Sequence, residues 1–154
     1  MNGGIKMIIE ICDGTLMDKE FILKGHKEIL KVSGLTKSEL EKNIEADFDS
    51  KVCRCLIAKS EGVVIAMCIY SDVYWADSGG GIYLSQIYVE PEYRGKGAVK
   101  QFLKHIMEET KCNFITCLVG PENKCMQNVM DNLGADKENL IPYTLHRISL
   151  TKEI

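Results

Sequence analysis

Apolar positions along the chain change their spacing several times, and each change marks a predicted element. Lys6 to Cys12 reads as a first strand. From Asp18 to Val32, the residues Ile22, Gly25, Ile29 and Val32 recur every three or four positions, which predicts an amphipathic helix. Thr36-x-x-Glu39 is a capping box, in which side chain and backbone at a helix start satisfy each other's free groups. It opens a second helix with Leu40, Ile44 and Phe48 on its buried stripe. Val52 to Ala58 and Val63 to Tyr70 are strand-like runs joined as a hairpin across Glu61-Gly62. Ser71 to Gly81, with Trp75 and three successive glycines, is expected to be a polar loop. Ile82 to Val89 is a further strand. Strict alternation puts its Tyr83, Ser85 and Ile87 on one face and Leu84, Gln86 and Tyr88 on the other.

Beyond Val99, the positions Phe102, Leu103, Ile106 and Met107 form a clear helical stripe. Asn113 to Val119 is a strand. Met126, Val129, Met130 and Leu133 make another helical stripe, ended by Gly134 as a glycine C-cap. Tyr143 to Leu150 is a last strand. The order β-α-α-β-β-β-α-β-α-β predicts an α/β (α+β) domain, a mixed sheet covered by helices. Without repeats, low-complexity runs or a proline-rich linker, residues 1–154 read as one domain, with 1–6 as a disordered tail.

Composition narrows the function classes. With 45% hydrophobic residues over 154 positions, the chain can bury a core without disulfides or metal. A net charge of −3 argues against general nucleic-acid binding. Basic residues nevertheless gather at Arg94, Lys96, Lys100 and Lys104, which suits one anionic ligand. The seven cysteines include no Cys-x-x-Cys pair for zinc or redox chemistry, and most lie in apolar runs, where a reduced thiol behaves as a small hydrophobe. A reducing cytoplasm is the simplest setting. No signal peptide is visible, and no apolar run approaches the about 18 residues of a membrane span, so no membrane partner is expected.

The chemistry concentrates in one turn. Arg94-Gly95-Lys96-Gly97-Ala98-Val99 lies between a strand pattern and a helix pattern, after Pro91. Free backbone N–H groups at such a helix start can hold phosphate. It is not a Walker loop, because no Gly-Lys-Ser/Thr is present. It is not a dinucleotide fingerprint either, because Lys100 stands where the third glycine would fall.

Tyr88-Val89-x-Pro91-x-Tyr93-Arg94-Gly95-Lys96-Gly97 resembles the acetyl-CoA pyrophosphate loop of the GCN5-related N-acetyltransferases, with their Gln/Arg-x-x-Gly-x-Gly/Ala pattern. A second block, Asn123-x-x-Met126-x-x-Val129-Met130-x-x-Leu133-Gly134-Ala135, is similar to that family's Asn-x-x-Ala-x-x-Leu-Tyr-x-x-Leu-Gly-Phe/Ala. The resemblance covers roughly residues 50 to 150, and the first fifty residues fit by element order. It implies a mixed, mostly antiparallel sheet of six to seven strands with helices on both faces. The fourth and fifth strands would splay to admit the thioester.

The resemblance also assigns residues. The backbone of Gly95, Lys96, Gly97, Ala98, Val99 and Lys100 would wrap the pyrophosphate, with Arg94, Lys96 or Lys100 as exposed cations. Ile87, Tyr88 and Val89 would pair with the pantetheine arm, the Val89 N–H would polarise the thioester carbonyl, and Asn123 would bond the pantetheine region. Asn123 can also serve as a helix N-cap. Val99 stands where the family has Gly or Ala, and Met130 where many members carry the tyrosine that protonates the leaving thiolate. No carboxylate occupies the base positions, which leaves Tyr83 and Ser85 as catalytic candidates. Trp75, His26 and Tyr143 are candidate acceptor contacts, and Trp75 with the Tyr143–Ile148 run leans towards the spermidine/spermine branch. The implied activity is direct N-acetylation of a primary amine on a small molecule or peptide. The alternative is a non-catalytic acyl-CoA-binding sensor or interaction module, and a homodimer is open.

Overall fold

A five-stranded sheet in the order β1-β2-β3-β4-β5 organises a computed structural model that describes residues 7–29 and 36–138. The strands are β1 (Glu10–Asp13), β2 (Cys53–Ser60), β3 (Val63–Trp75), β4 (Gly79–Val89) and β5 (Phe114–Cys117). Pairing is antiparallel from β1 through β4 and parallel between β4 and β5. The helices are α1 (Lys19–Ile29), α2 (Lys37–Ser50), α3 (Ala98–Thr110) and α4 (Lys124–Asn132). The sheet therefore has five strands among the described residues, against the six to seven expected. The expected strand Tyr143 to Leu150, the 1–6 tail and Val32 lie outside the described residues.

The chain divides into two compact units between Leu118 and Val119. In the first, α1 and α2 cover one face of the sheet. Ile22, Leu23, Leu40 and Ile44 pack with Ile57, Met67, Ile69 and Tyr88 in one buried cluster. Gly25 lets α1 lie this close, since a Cβ there would stand 2.5 Å from the Met67 methyl and 3.0 Å from Tyr88 Cβ. Leu56, Ala58, Ala66 and Cys68 alternate to the opposite face and are buried too. There α3 contacts β1, β2 and β4, with Phe102 and Ile106 fully buried. The capping box at Thr36 forms as the sequence predicts: Glu39 N–H donates to the Thr36 hydroxyl, and Thr36 N–H donates to the Glu39 carboxylate.

Two expectations are corrected. Ser71 to Gly81 is not a loop but the tip of the β3–β4 hairpin, whose turn is only Ala76–Ser78. Val73, Tyr74 and Trp75 favour extended backbone and pair with Gly81, Gly80 and Gly79. Gly81 also makes room for Phe114, because a Cβ there would lie 2.3 Å from the ring on which Trp75 stacks. The second correction concerns strict alternation in β4. Ile69 pairs with Gln86 but Tyr70 pairs with Leu84, so Ser85 is the extra residue of a β-bulge. Opposed residues share a face, and the bulge therefore moves Tyr83 to the side of Gln86 and Tyr88, under α1, and Leu84 to the side of Ile87.

The second unit is described by itself. Asn123 caps α4, its Oδ1 accepting from Met126 N–H at 3.1 Å. The helix ends with Gly134 at φ +76, where Ala135 N–H bonds Met130 C=O and Gly134 N–H bonds Asp131 C=O.

Candidate active site

The pairing of β4 with β5 runs from Gly81 to Leu84 and stops there, while β4 continues to Val89. Past the bulge, β4 thus presents an edge unpaired by β5. Which backbone groups face it follows from the ladder. Glu90 N–H donates to Ile65 C=O, so Tyr88, two residues back, also turns its groups towards β3, opposite Met67. Ile87 and Val89 therefore turn their N–H and C=O to the open edge. Of the three backbone positions expected to meet the pantetheine arm, two face outward and Tyr88 is committed to the sheet.

The edge leads into the basic turn. Pro91–Tyr93 makes one 3-10 turn, and Gly95 and Gly97 follow at φ +72 and +93, a region that favours glycine. A Cβ at either would meet no atom within 4 Å, so conformation and an open approach, not packing, call for glycine here. Gly97 begins α3 without a side-chain cap or an acidic residue in the first turn. The first intrahelical bond is Gln101 N–H to Gly97 C=O, which leaves the N–H groups of Ala98, Val99 and Lys100 without helical partners. With the positive end of the helix dipole, this is an anion cradle. Lys96 lies over the Tyr93 ring, and Lys100 is exposed. The Arg94 Nε donates to Val89 C=O at 3.0 Å, tying the turn back to the strand end. Val99 is half-buried behind the turn.

Across the sheet, the face under α1 carries the polar residues of β4. Ser85 donates its hydroxyl proton to Ile69 C=O at 3.0 Å, which closes the bulge. Tyr83 is half-buried on the α1 side. The Tyr88 hydroxyl donates to Glu90, which is ion-paired with Lys24 of α1. Burial first, then the Glu90 carboxylate, pushes the Tyr88 hydroxyl above its ordinary pKa. His26 is 6% exposed, and both ring nitrogens are buried without a hydrogen-bond partner among the described residues. It lines a cavity of about 20 Å3 with Ile22, Asp47, Phe48, Cys55 and Ile69. Burial lowers the His26 pKa, and the nearby Asp47 carboxylate works against that shift.

Sequence reading missed Asp47 and passed over Gln86 because it is no carboxylate at a base position. No spacing links Asp47 to His26, which meet only because α2 folds against α1, and alternation assigns Gln86 no special place. Trp75 stacks on Phe114, with ring centroids 4.6 Å apart. Met130 is half-buried on α4 of the second unit, and Tyr143 lies outside the described residues.

This is an α/β protein with a mixed sheet whose fourth strand opens beside an uncapped helix start, an arrangement suited to an extended, phosphate-bearing ligand. The acetyltransferase (GNAT) family matches residues 24–135, and the chain belongs to that family. It is an N-acetyltransferase, and acetyl-CoA is its cosubstrate. The chain is 26% identical over 137 residues to thialysine N-epsilon-acetyltransferase of Sus scrofa, an alignment covering 85% of this chain and 75% of that protein. Among solved structures, aminoglycoside N-acetyltransferase AAC(6')-Iy in complex with CoA aligns with a TM-score of 0.76 at 19% identity, over 92% of this chain and 96% of the other. A predicted acetyltransferase with acetyl-CoA from Clostridium acetobutylicum gives 0.67 at 17% identity, over 91% and 99%.

Proposed function

We propose that this chain transfers the acetyl group of acetyl-CoA directly to a primary amine of a small molecule or peptide. One observation carries the reading: the open β4 edge at Ile87 and Val89 ends at the uncapped start of α3. The edge matches the extended, amide-bearing pantetheine arm, and the free N–H groups of Ala98, Val99 and Lys100 match the pyrophosphate. Bound acetyl-CoA supplies an activated thioester carbonyl. The Val89 N–H, facing the edge, is the donor suited to the carbonyl oxygen as it gains negative charge. Arg94, bonded to Val89 C=O, holds that strand end in place. Ser85 shapes the bulge with its own proton, so Tyr83 is the remaining hydroxyl that could relay a proton through water. His26 is buried, and an acceptor role for it rests on the family resemblance. For Asn123, Trp75 and Tyr143 the ligand roles rest on the family resemblance alone.

The family match spans the boundary at Leu118, which favours a single catalytic domain. All seven cysteines are free, as a reducing cytoplasm would keep them. The similarity to thialysine and aminoglycoside acetyltransferases favours a small-molecule amine over a protein. CoA release from acetyl-CoA, measured across a panel of small amines, amino acids, aminoglycosides and lysine peptides, tests the reading. Amine-dependent release is expected. Calorimetric CoA binding with no release for any amine would favour the binding module instead, and no CoA binding at millimolar concentration would refute both.

A further inference from the structure

Past the bulge β4 has no β5 partner, yet its last residue carries the Val89 N–H that faces the open edge. A strand end paired on one side alone opens more readily than the sheet interior, so its other supports matter. The peptide unit that follows Val89 is held from three directions. Its N–H, that of Glu90, donates to Ile65 C=O of β3, and its C=O, that of Val89, accepts from Arg94. The third hold is the Glu90 side chain. One carboxylate oxygen accepts from the Tyr88 hydroxyl at 3.2 Å, and the other from Lys24 of α1. With both oxygens engaged, the carboxylate cannot rotate without breaking a bond.

Helix α1 fits this strand end contact by contact. The Phe21 ring lies against Tyr88, with centroids 5.8 Å apart, Lys24 reaches Glu90 one turn later, and Gly25 lets the helix close over Tyr88. Phe21 and Lys24 share a helix face, as Tyr88 and Glu90 share a sheet face. Lys24 is half exposed, and an ion pair so open to water contributes little to stability. Its use lies in geometry.

We propose that Lys24 and Glu90 are positioning residues for acetyl transfer: their ion pair braces the end of β4 against α1 and keeps the Val89 N–H aimed at the thioester carbonyl. The proposal rests on the acetyl-transfer reading above. The carbonyl oxygen gains negative charge as the amine adds, so an N–H held in place favours the transition state over bound acetyl-CoA. The N–H groups suited to the pyrophosphate belong to α3 and make none of these contacts. Loss of the brace therefore acts on kcat more than on cosubstrate binding. Glu92 near Lys24 and Glu28 near Tyr88 add longer-range negative charge. The bond from Glu90 is the main reason the Lys24 pKa is raised, and the ammonium persists at neutral pH and above.

Infrared spectra of bound acetyl-CoA, labelled with 13C at the carbonyl, test the proposal without turnover, because a hydrogen bond lowers the stretching frequency of the carbonyl it polarises. In wild type the frequency should lie below that of free acetyl-CoA. Lys24→Met should move it back towards the free value, and Lys24→Arg, which keeps the ion pair, should hold it. With the panel amine that releases CoA fastest, Lys24→Met should lower kcat about 5–50-fold and leave KM for acetyl-CoA within about twofold. Tm should fall by no more than about 4 °C. The control is Lys19→Met, which removes the ion pair of α1 with Glu45 and should change neither frequency nor kcat. A Lys24→Met protein with the wild-type frequency, or a Lys19→Met protein that shifts equally, overturns the brace. A wild-type frequency equal to that of free acetyl-CoA would overturn the Val89 donor and the brace with it. A downshift that Lys24→Met reverses, in a protein that turns over no amine, would instead refute the transfer reading and leave the brace standing.

Discussion

Replacing Gly97 by glutamate separates what the turn does for the fold from what it does for the ligand. Gly97 sits at φ +93, and a side chain there meets no protein atom within 4 Å. The protein therefore feels only backbone strain, roughly 1–2 kcal/mol for an L-residue in the left-handed region. At this chain length that is about 2–8 °C of Tm. The ligand meets a carboxylate where bare backbone should face phosphate. At about 4 Å the repulsion is about 1 kcal/mol in water and about 4 at intermediate dielectric, so CoA affinity should fall between about fivefold and a thousandfold. Gly62→Ala is the control, since Gly62 has φ +79, equally open surroundings and a place in the β2–β3 turn. It should lose similar Tm and no CoA affinity. Thermal melts and CoA calorimetry read both quantities. A Gly97→Glu protein that binds CoA within twofold of wild type would refute the cradle, as would a Gly62→Ala protein that loses affinity equally.

Three further outcomes follow from the packing. His26 has a folded-state pKa below its ordinary 6.5, so the unfolded chain takes up a proton that the folded chain does not. Its contribution is intact above about pH 6.5 and is lost as pH falls below it; urea midpoints at pH 7.5 and 5.5 should converge in His26→Leu, and an unchanged gap contradicts this account. Gly81→Ala drives a methyl into the Phe114 ring and should cost about 1–3 kcal/mol with altered Trp75 emission, whereas wild-type Tm and spectrum would disprove the close approach. Burial pushes the Cys55 thiol up to about 12 and the Cys68 thiol well above its usual range, while Cys125 is exposed. Iodoacetamide at pH 8 should modify Cys125 first by mass spectrometry, and early modification of Cys55 or Cys68 would show that the thiols are not held this way.

Much of the fold is legible in the sequence because it depends on local chemistry. Thr36 and Glu39 satisfy each other across one helical turn, and Gly134 takes the left-handed cap that its neighbours' free carbonyls require. Arg94 to Val99 carries its own signal too, since positive φ and an uncapped helix start are properties of consecutive residues. That turn pointed to a phosphate-bearing ligand, and its resemblance to the acetyltransferase family implied CoA.

The face under α1 was not legible, for a physical reason. A strand's facing is set by its ladder with other strands, and one extra residue at Ser85 reverses it without any mark in composition. Tyr83 thereby joined Gln86 and Tyr88 under α1, and the supposed loop around Trp75 became strand because Gly79–Gly81 lay opposite it. His26 and Asp47 are far apart in sequence and share a cavity only through the packing of α1 on α2. The sequence by itself determined the helix caps, the hairpin turn and the glycine turn before α3. Only the tertiary structure decided which side chains share the face under α1, since that depends on register and burial between distant segments.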